Sequence, residues 1–230
     1  MPLVTNTLID ALPRTARNRL LSICESVDLV SGSLVSGTDT PTRHVYFPTG
    51  SILSLMTSSK NSPMLEVGMV GSEGMLGLQV VLDVDSVPLQ ASVRGPGTAW
   101  RVATEPFNRE LARSPALQQS LNFYLQVILL QLTSEARCVR FHQINQRLAR
   151  WLLMTHDRTH ADSFHVTQAQ IAHLMGVRRV GIAKAAGALQ RRGIIKYVRG
   201  VLTIRDRKAL ESQSFGCYET ARKTYSRFMS

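Results

Sequence analysis

The chain changes its hydrophobic rhythm three times. Between about Pro13 and Val27, apolar residues at Leu20, Leu21, Ile23, Cys24 and Val27 predict a short amphipathic helix. From Leu29 to Val102 the pattern becomes brief Val/Ile/Leu-rich runs. They are broken at Ser31-Gly32-Ser33, Gly37-Thr38-Asp39, Pro48-Thr49-Gly50, Asn61-Ser62-Pro63 and Gly95-Pro96-Gly97. Many short strands with frequent turns predict a small antiparallel barrel or jelly roll. From Pro115, a residue suited to a first helical turn, a helical period runs for about 26 residues.

Within that long helix, Leu121, Leu125, Ile128, Leu132, Glu135 and Val139 follow alternating steps of four and three. This is a heptad seam interrupted only by Glu135, and it predicts a parallel two-fold dimer. Phe123, Tyr124, Val127, Leu129 and Leu130 are apolar as well, so a second face can cover the strand domain. Another helix opens near Asn145, with Leu148, Ala149, Leu152 and Leu153 on one side. The segment "HDRTHADSFH" after it, with His156, Asp157, His160, Asp162 and His165, reads as a polar linker rather than a metal site.

Thr167 and Gln170 then form a capping-box pair at the start of a further helix. Ile171, Ala172, Met175, Val177, Ile182 and Ala185 fall where two closely crossing helices would touch. Ala172 is small enough for the crossing, and Gly176 sits at the turn. On the opposite face stand Arg178, Arg179, Val180 and Lys184, with Gln168 at the start of the preceding helix. A second helix of this kind enters the major groove, where guanidinium groups pair bidentately with guanine. Gly193 ends that helix. "IIKYVRGVLTI" follows as two short strands around Arg199-Gly200, a wing whose Lys196 and Arg199 suit phosphate contact. Arg191 and Arg192 suit the helix C-terminus, where cations offset the dipole. Gly181 and Gly187 each cost a helix about 1 kcal/mol relative to alanine. Close approach of DNA or of another helix is the expected reason for them.

Charge sharpens this division. From Ala136 onward 18 Lys and Arg stand against 5 Asp and Glu, a balance of +13; before it the counts are 9 and 11. A near-neutral first part and a strongly basic second part imply a polyanionic partner for the second. The 230 residues suffice for one large or two small domains, and no apolar run is long enough to span a bilayer. The N-terminus lacks the order of a signal peptide, so a cytoplasmic location is expected. Cys24, Cys138 and Cys217 are odd in number and far apart, which implies no disulfide framework and too few thiolates for an iron–sulfur cluster. Met64, Met69 and Met75 read as core fillers. No nucleophile elbow, phosphate-binding loop with Lys or carboxylate pair is present, so no enzyme is expected and no cofactor or metal is identified.

"HVYFPTGSILSL", "LEVGMVGSEGMLG", "QRLARWLL", "VTQAQIAHLMGVRRVGIAKAAGALQRRGIIKYVRG" and "LTIRDRKALE" together resemble the cyclic-AMP receptor/Fnr (Crp/Fnr) family of bacterial transcription regulators. The resemblance implies an α+β fold with three parts. These are an N-terminal β-roll (a cyclic-nucleotide-binding-like jelly roll, 1–114), a long dimerisation helix (115–142) and a C-terminal winged helix-turn-helix domain (143–230). It places Arg179, Val180 and Lys184 at base edges, with Val180 where the family often has glutamate. It makes double-stranded DNA and a second copy of the chain the expected partners, with RNA polymerase and a small-molecule effector as further candidates.

In nucleotide-binding members of that family, a Gly-Glu turn meets the ribose and an Arg-Ser or Arg-Ala pair holds the phosphate. The resemblance brings Gly71, Glu73 and Gly77 to the turn, Leu89 and Gln90 to the phosphate position, and Thr133 and Ser134 to the base. Between Gly77 and Val93 there is no Lys or Arg. A buried phosphate without a cation costs several kcal/mol, so cyclic AMP is not the expected effector and Glu73 is expected to be a turn residue. Two alternatives stay open on sequence: a nucleotide-responsive regulator with an atypical pocket, and an interaction module that has lost DNA binding.

Overall fold

The computed structural model describes residues 5–59, 62–216, 218, 219, 222, 223 and 225; Cys217 lies outside them. Two compact units are formed. One is built on residues up to Thr57 and on Val67–Leu129, the other on Ser58–Glu66 and Leu130–Tyr225.

The first unit opens with α1 (Thr7–Asp10) and α2 (Arg14–Ser22). Asn6 is buried and works in two directions. Its Oδ1 accepts from the Leu8 and Ile9 amides, while its Nδ2 donates to the carbonyls of Pro48 and Gly74 at 2.9 and 2.8 Å. The helix expected to reach Val27 stops at Ser22. Residues from Glu25 form β1 (Glu25–Leu29), where Val27 lies opposite Ala99, so sheet pairing overrides the helical spacing of Cys24 and Val27.

The strands continue as β2 (Leu34–Ser36), β3 (His44–Pro48), β4 (Ile52–Ser59), β5 (Ser62–Val70), β6 (Gln90–Gly95) and β7 (Gly97–Ala103), with a 3-10 turn at Leu78–Leu82; the end of β4 and the first part of β5 fall in the Ser58–Glu66 stretch of the second unit. They form two sheets, ordered β1-β7-β3 and β2-β6-β4-β5, with antiparallel pairing at β1–β7, β3–β7, β2–β6 and β4–β6. Alternation along β3 sends Val45 and Phe47 fully into the core, where the Phe47 ring meets Phe107 at 6.3 Å. Phe107 comes from α3 (Thr104–Arg113).

Next comes α4 (Pro115–Phe141), 27 residues long, as its periodicity predicts. Ser114 starts it, its Oγ accepting from the Leu117 amide at 3.4 Å. The buried residues Leu117, Leu121, Tyr124 and Val127 belong to the part of α4 in the first unit. Gly74 lies beneath the Tyr124 ring; a Cβ there would stand 2.0 Å from the phenol oxygen, so only glycine fits.

The second unit contains α5 (Ile144–Thr159), β8 (Ser163–His165), α6 (Gln168–Leu174), α7 (Arg179–Arg191), β9 (Ile195–Val198), β10 (Val201–Ile204) and α8 (Arg207–Gln213). The α5 residues Leu148, Ala149, Leu152 and Leu153 are fully buried, as expected. The three-stranded sheet is ordered β8-β10-β9. Part of the expected polar linker is therefore strand: Phe164 pairs with Leu202 and becomes the third rung of the wing. The rest is helical or capped. His156 and Asp157 stand in α5, and His160 ends it in a left-handed conformation. Arg207 donates to Asp157 Oδ1 at 2.7 Å and bonds to His156 and Tyr218, while His156 Nε2 lies 2.8 Å from Asp162. Among the described residues, no group of three or more His, Cys, Asp and Glu is placed to hold a metal ion. No described helix is long and apolar enough to cross a membrane.

Candidate nucleic-acid interface and ligand cavity

The α6–turn–α7 unit is set by its caps and by two glycines. Thr167 Oγ1 accepts from the Gln170 amide at 3.1 Å, and Gln170 Oε1 accepts from the Thr167 amide at 2.7 Å, so both orphan donors are satisfied. Gly176 takes φ +62, and the Val177 amide donates back to Ala172. A Cβ on Gly176 would lie 2.8 Å from Leu65 Cδ1. Ile171, Ala172, Met175, Ile182 and Ala185 are buried where the helices cross, and Val177 is half-buried. Gly181 is explained by close approach of another helix: its Cβ would meet Ile144 Cδ1 at 2.8 Å. Gly187 has no such neighbour; its Cβ would meet only the end of Arg191 at 3.5 Å.

On the outer face, Arg178, Arg179, Val180 and Lys184 are all exposed, and Val180 keeps 58% of its surface open. Gln168, the first residue of α6, is half-buried. Lys196 and Arg199 are exposed on the wing. Among the described residues none of these five cations has an acidic side chain within ion-pair distance. A concentration of uncompensated positive charge repels itself and favours an anionic partner. Arg192 is engaged differently, donating to Gln213 Oε1 at 2.5 Å.

Tyr197 is a positioning residue that the charge pattern does not reveal. Its hydroxyl donates to the Val166 carbonyl at 2.6 Å, and its amide donates to Gln190 Oε1 at 2.9 Å. Tyr197 thereby ties β9 to the segment between β8 and α6 through its side chain, and to the end of α7 through its backbone. Burial raises its phenol pKa, and the positive charge of Arg179 acts in the opposite sense. At the wing tip Arg199 and Gly200 take φ +50 and +81, a two-residue turn that leaves the Arg199 side chain in solvent.

The first unit contains a cavity of about 220 Å³. Gly77, Leu89 and Gln90 line it, as the resemblance implies, but Gly71 and Glu73 do not. Glu73 folds back on its own turn, where its Oε1 accepts from the Gly71 amide at 3.3 Å. Thr133 and Ser134 are absent from the lining too; α4 presents Tyr124, Leu125 and Ile128 instead, about two turns earlier. Thr133 and Ser134 stand further along α4, on the part that belongs to the second unit. Among the described residues, no Lys, Arg, His, Asp or Glu contributes to the lining.

The phase of α4 corrects the expected seam. Leu121 is fully buried within the first unit, Ile128 faces the cavity, and Glu135 bonds to Arg150 of α5. These three therefore do not lie on the exposed face. Leu125, Leu132 and Val139 do flank it, and the stripe between them passes through Leu129 and Ala136. Leu129, Leu132 and Val139 expose 60%, 43% and 47% of their surface. The steps 125, 129, 132, 136, 139 still alternate four and three.

Residues 146–213 match the family model of the Crp-like helix-turn-helix domain. By sequence, no curated protein matches the chain. Among solved structures, the chain is similar to the c-di-GMP-responsive global regulator CLP of Xanthomonas campestris, at 17% identity and TM-score 0.68, over 84% of this chain and 99% of that one. A Crp/Fnr-family transcriptional regulator from Thermus thermophilus matches at 17% identity and TM-score 0.67, over 83% and 98%. FixK2 of Bradyrhizobium japonicum matches at 13% identity and TM-score 0.68, over 83% and 97%. The chain thus carries a Crp-like helix-turn-helix domain on the fold of the Crp/Fnr-family transcription regulators.

Proposed function

We propose that the protein is a homodimeric, sequence-specific DNA-binding transcription regulator whose first unit senses something other than a cyclic nucleotide. The observation that carries this reading is the exposed, acid-free face of α7, where Arg178, Arg179 and Lys184 stand together on the second helix of a helix-turn-helix unit. In this role Arg179 and Lys184 contact guanine edges, Val180 contacts a thymine methyl group, and Arg178, Gln168, Lys196 and Arg199 contact phosphate or sugar. The corrected α4 stripe supplies the dimer interface. Two copies of α7 related by its axis then read an inverted repeat, with half-sites about 34 Å apart. Its site of action is the cytoplasm, and RNA polymerase is the partner through which it would act on transcription.

Selection of binding sites from random duplexes, followed by salt titration on the selected site, tests the reading. The expected result is a two-fold symmetric site whose affinity falls steeply with salt as counterions are released. Selection of no site, or binding equal to that of an unrelated acidic protein, overturns it in favour of an interaction module.

A further inference from the structure

The lining of the first unit's cavity sets the chemistry of what it can hold. Leu55, Val70, Met75, Leu76 and Leu89 give it apolar walls, and its polar members are neutral: Ser36, Gln79, Gln90 and the Tyr124 phenol. Of these, Gln79 Nε2 donates to Thr42 Oγ1 at 2.7 Å. A phosphate or carboxylate placed there would meet no cation among the described lining residues, and its desolvation would go uncompensated. An ammonium group would equally lack a lining carboxylate. A cavity of about 150 Å³ already takes one benzene-sized ring, so about 220 Å³ suits one or two rings or a chain of about ten carbons.

We propose that this cavity binds an uncharged, largely apolar small molecule with at most one hydrogen-bonding group, held at the Ser36–Gln90 end. The proposal rests on the reading of the first unit as a sensor. Its reach to assembly is structural: Leu125 lines the cavity and also stands beside the exposed stripe of α4, so an occupant touches the helix offered as the interface.

The test titrates the neutral two-ring fluorophore 1-naphthylamine into the full chain without DNA. Saturable binding of about one per chain is expected, displaced by decanol but not by cyclic AMP and at least tenfold more weakly by decanoate. Two variants at the half-buried cavity edge locate the site. Leu89→Trp is expected to weaken the fluorophore at least tenfold by filling the space. Leu89→Arg is expected to reverse the order of decanol and decanoate. Circular dichroism confirms that both variants are folded. The proposal is overturned if no saturable binding occurs, if cyclic AMP displaces the fluorophore, or if both folded variants bind it like the parent chain. DNA binding is measured separately. Loss of the ligand result with DNA binding intact sinks this inference alone, and the converse sinks only the regulator reading.

Discussion

Glu135 on α4 and Arg150 on α5 form an ion pair in which the Arg150 side chain keeps only 5% of its surface exposed and Glu135 keeps 36%. The pair accounts for an acidic residue that otherwise looks like a flaw in a hydrophobic seam. Heptad spacing can be drawn along α4 in two phases one residue apart, and both pass through Leu125, Leu132 and Val139. Only the phase through Leu129 and Ala136 is free of the carboxylate and turned outward.

That phase has a direct consequence for assembly. Leu129→Glu combined with Leu132→Glu is expected to yield folded monomers in sedimentation velocity, because both charges would face the partner helix. Leu121→Ala is expected to leave association intact while costing about 2–5 kcal/mol of stability, the usual range for a truncated core leucine. A double mutant that stays dimeric at unchanged affinity would place the interface elsewhere.

Removing the carboxylate of the pair is expected to show in stability rather than in assembly. Glu135→Ala leaves a buried guanidinium without this acceptor and is expected to cost about 1–3 kcal/mol in denaturant unfolding. Glu135→Gln keeps an acceptor oxygen and is expected to lose less. Equal and negligible losses in both variants would mean that the pair contributes nothing.

The second unit was the more legible in sequence, because its signals are local. The Thr167–Gln170 cap, the turn at Gly176 and the Arg199-Gly200 hairpin each depend on a few neighbouring residues, and all occur as read. What escaped was decided by distant partners. Val27 joins a sheet because Ala99 is waiting opposite, and Phe164 becomes strand because Leu202 is. The phase of α4 is set by Tyr124 settling over Gly74, which no spacing rule on the helix contains. Position along α4 decides that Tyr124, Leu125 and Ile128, and not Thr133 and Ser134, reach the cavity. The absence of a cation from that cavity was visible in the stretch after Gly77. Tyr197 was not visible as an anchor, since its two partners, Val166 and Gln190, lie 31 and 7 residues away in sequence.

Cys24 offers a check on the first unit that is independent of DNA. Burial pushes its thiol from an ordinary 9.0 up to about 12. The folded state therefore keeps a proton that the unfolded state loses. The stabilising effect is complete below pH 9 and disappears as pH rises from about 9 towards 12. At pH 8 the thiolate fraction of Cys24 should be roughly a thousandfold lower than in the unfolded chain. Site-resolved mass spectrometry after alkylation should find Cys24 protected under native conditions and labelled in denaturant. Labelling at equal rates in the two states would contradict the burial.

The proposed recognition of DNA would divide the cationic face into residues that read sequence and residues that only hold the backbone. Arg179 and Lys184 project from the outward side of α7, and Val180 between them is apolar, exposed and without a covering neighbour on that side. Arg179→Ala is expected to cost about 1–3 kcal/mol on the selected site and to flatten preference at one base pair, as loss of a bidentate guanine contact does. Arg199 sits at the tip of a hairpin turn, where reach is long and geometry loose. Arg199→Ala is expected to weaken all sequences alike and to lower the salt slope by about one. Val180 is tested through the DNA. Replacing thymine by uracil, one position at a time, removes only the methyl group. At one position per half-site this should weaken the parent protein several-fold and leave Val180→Ala unaffected. Full specificity in Arg179→Ala, or a uracil effect that persists without Val180, would reassign these contacts.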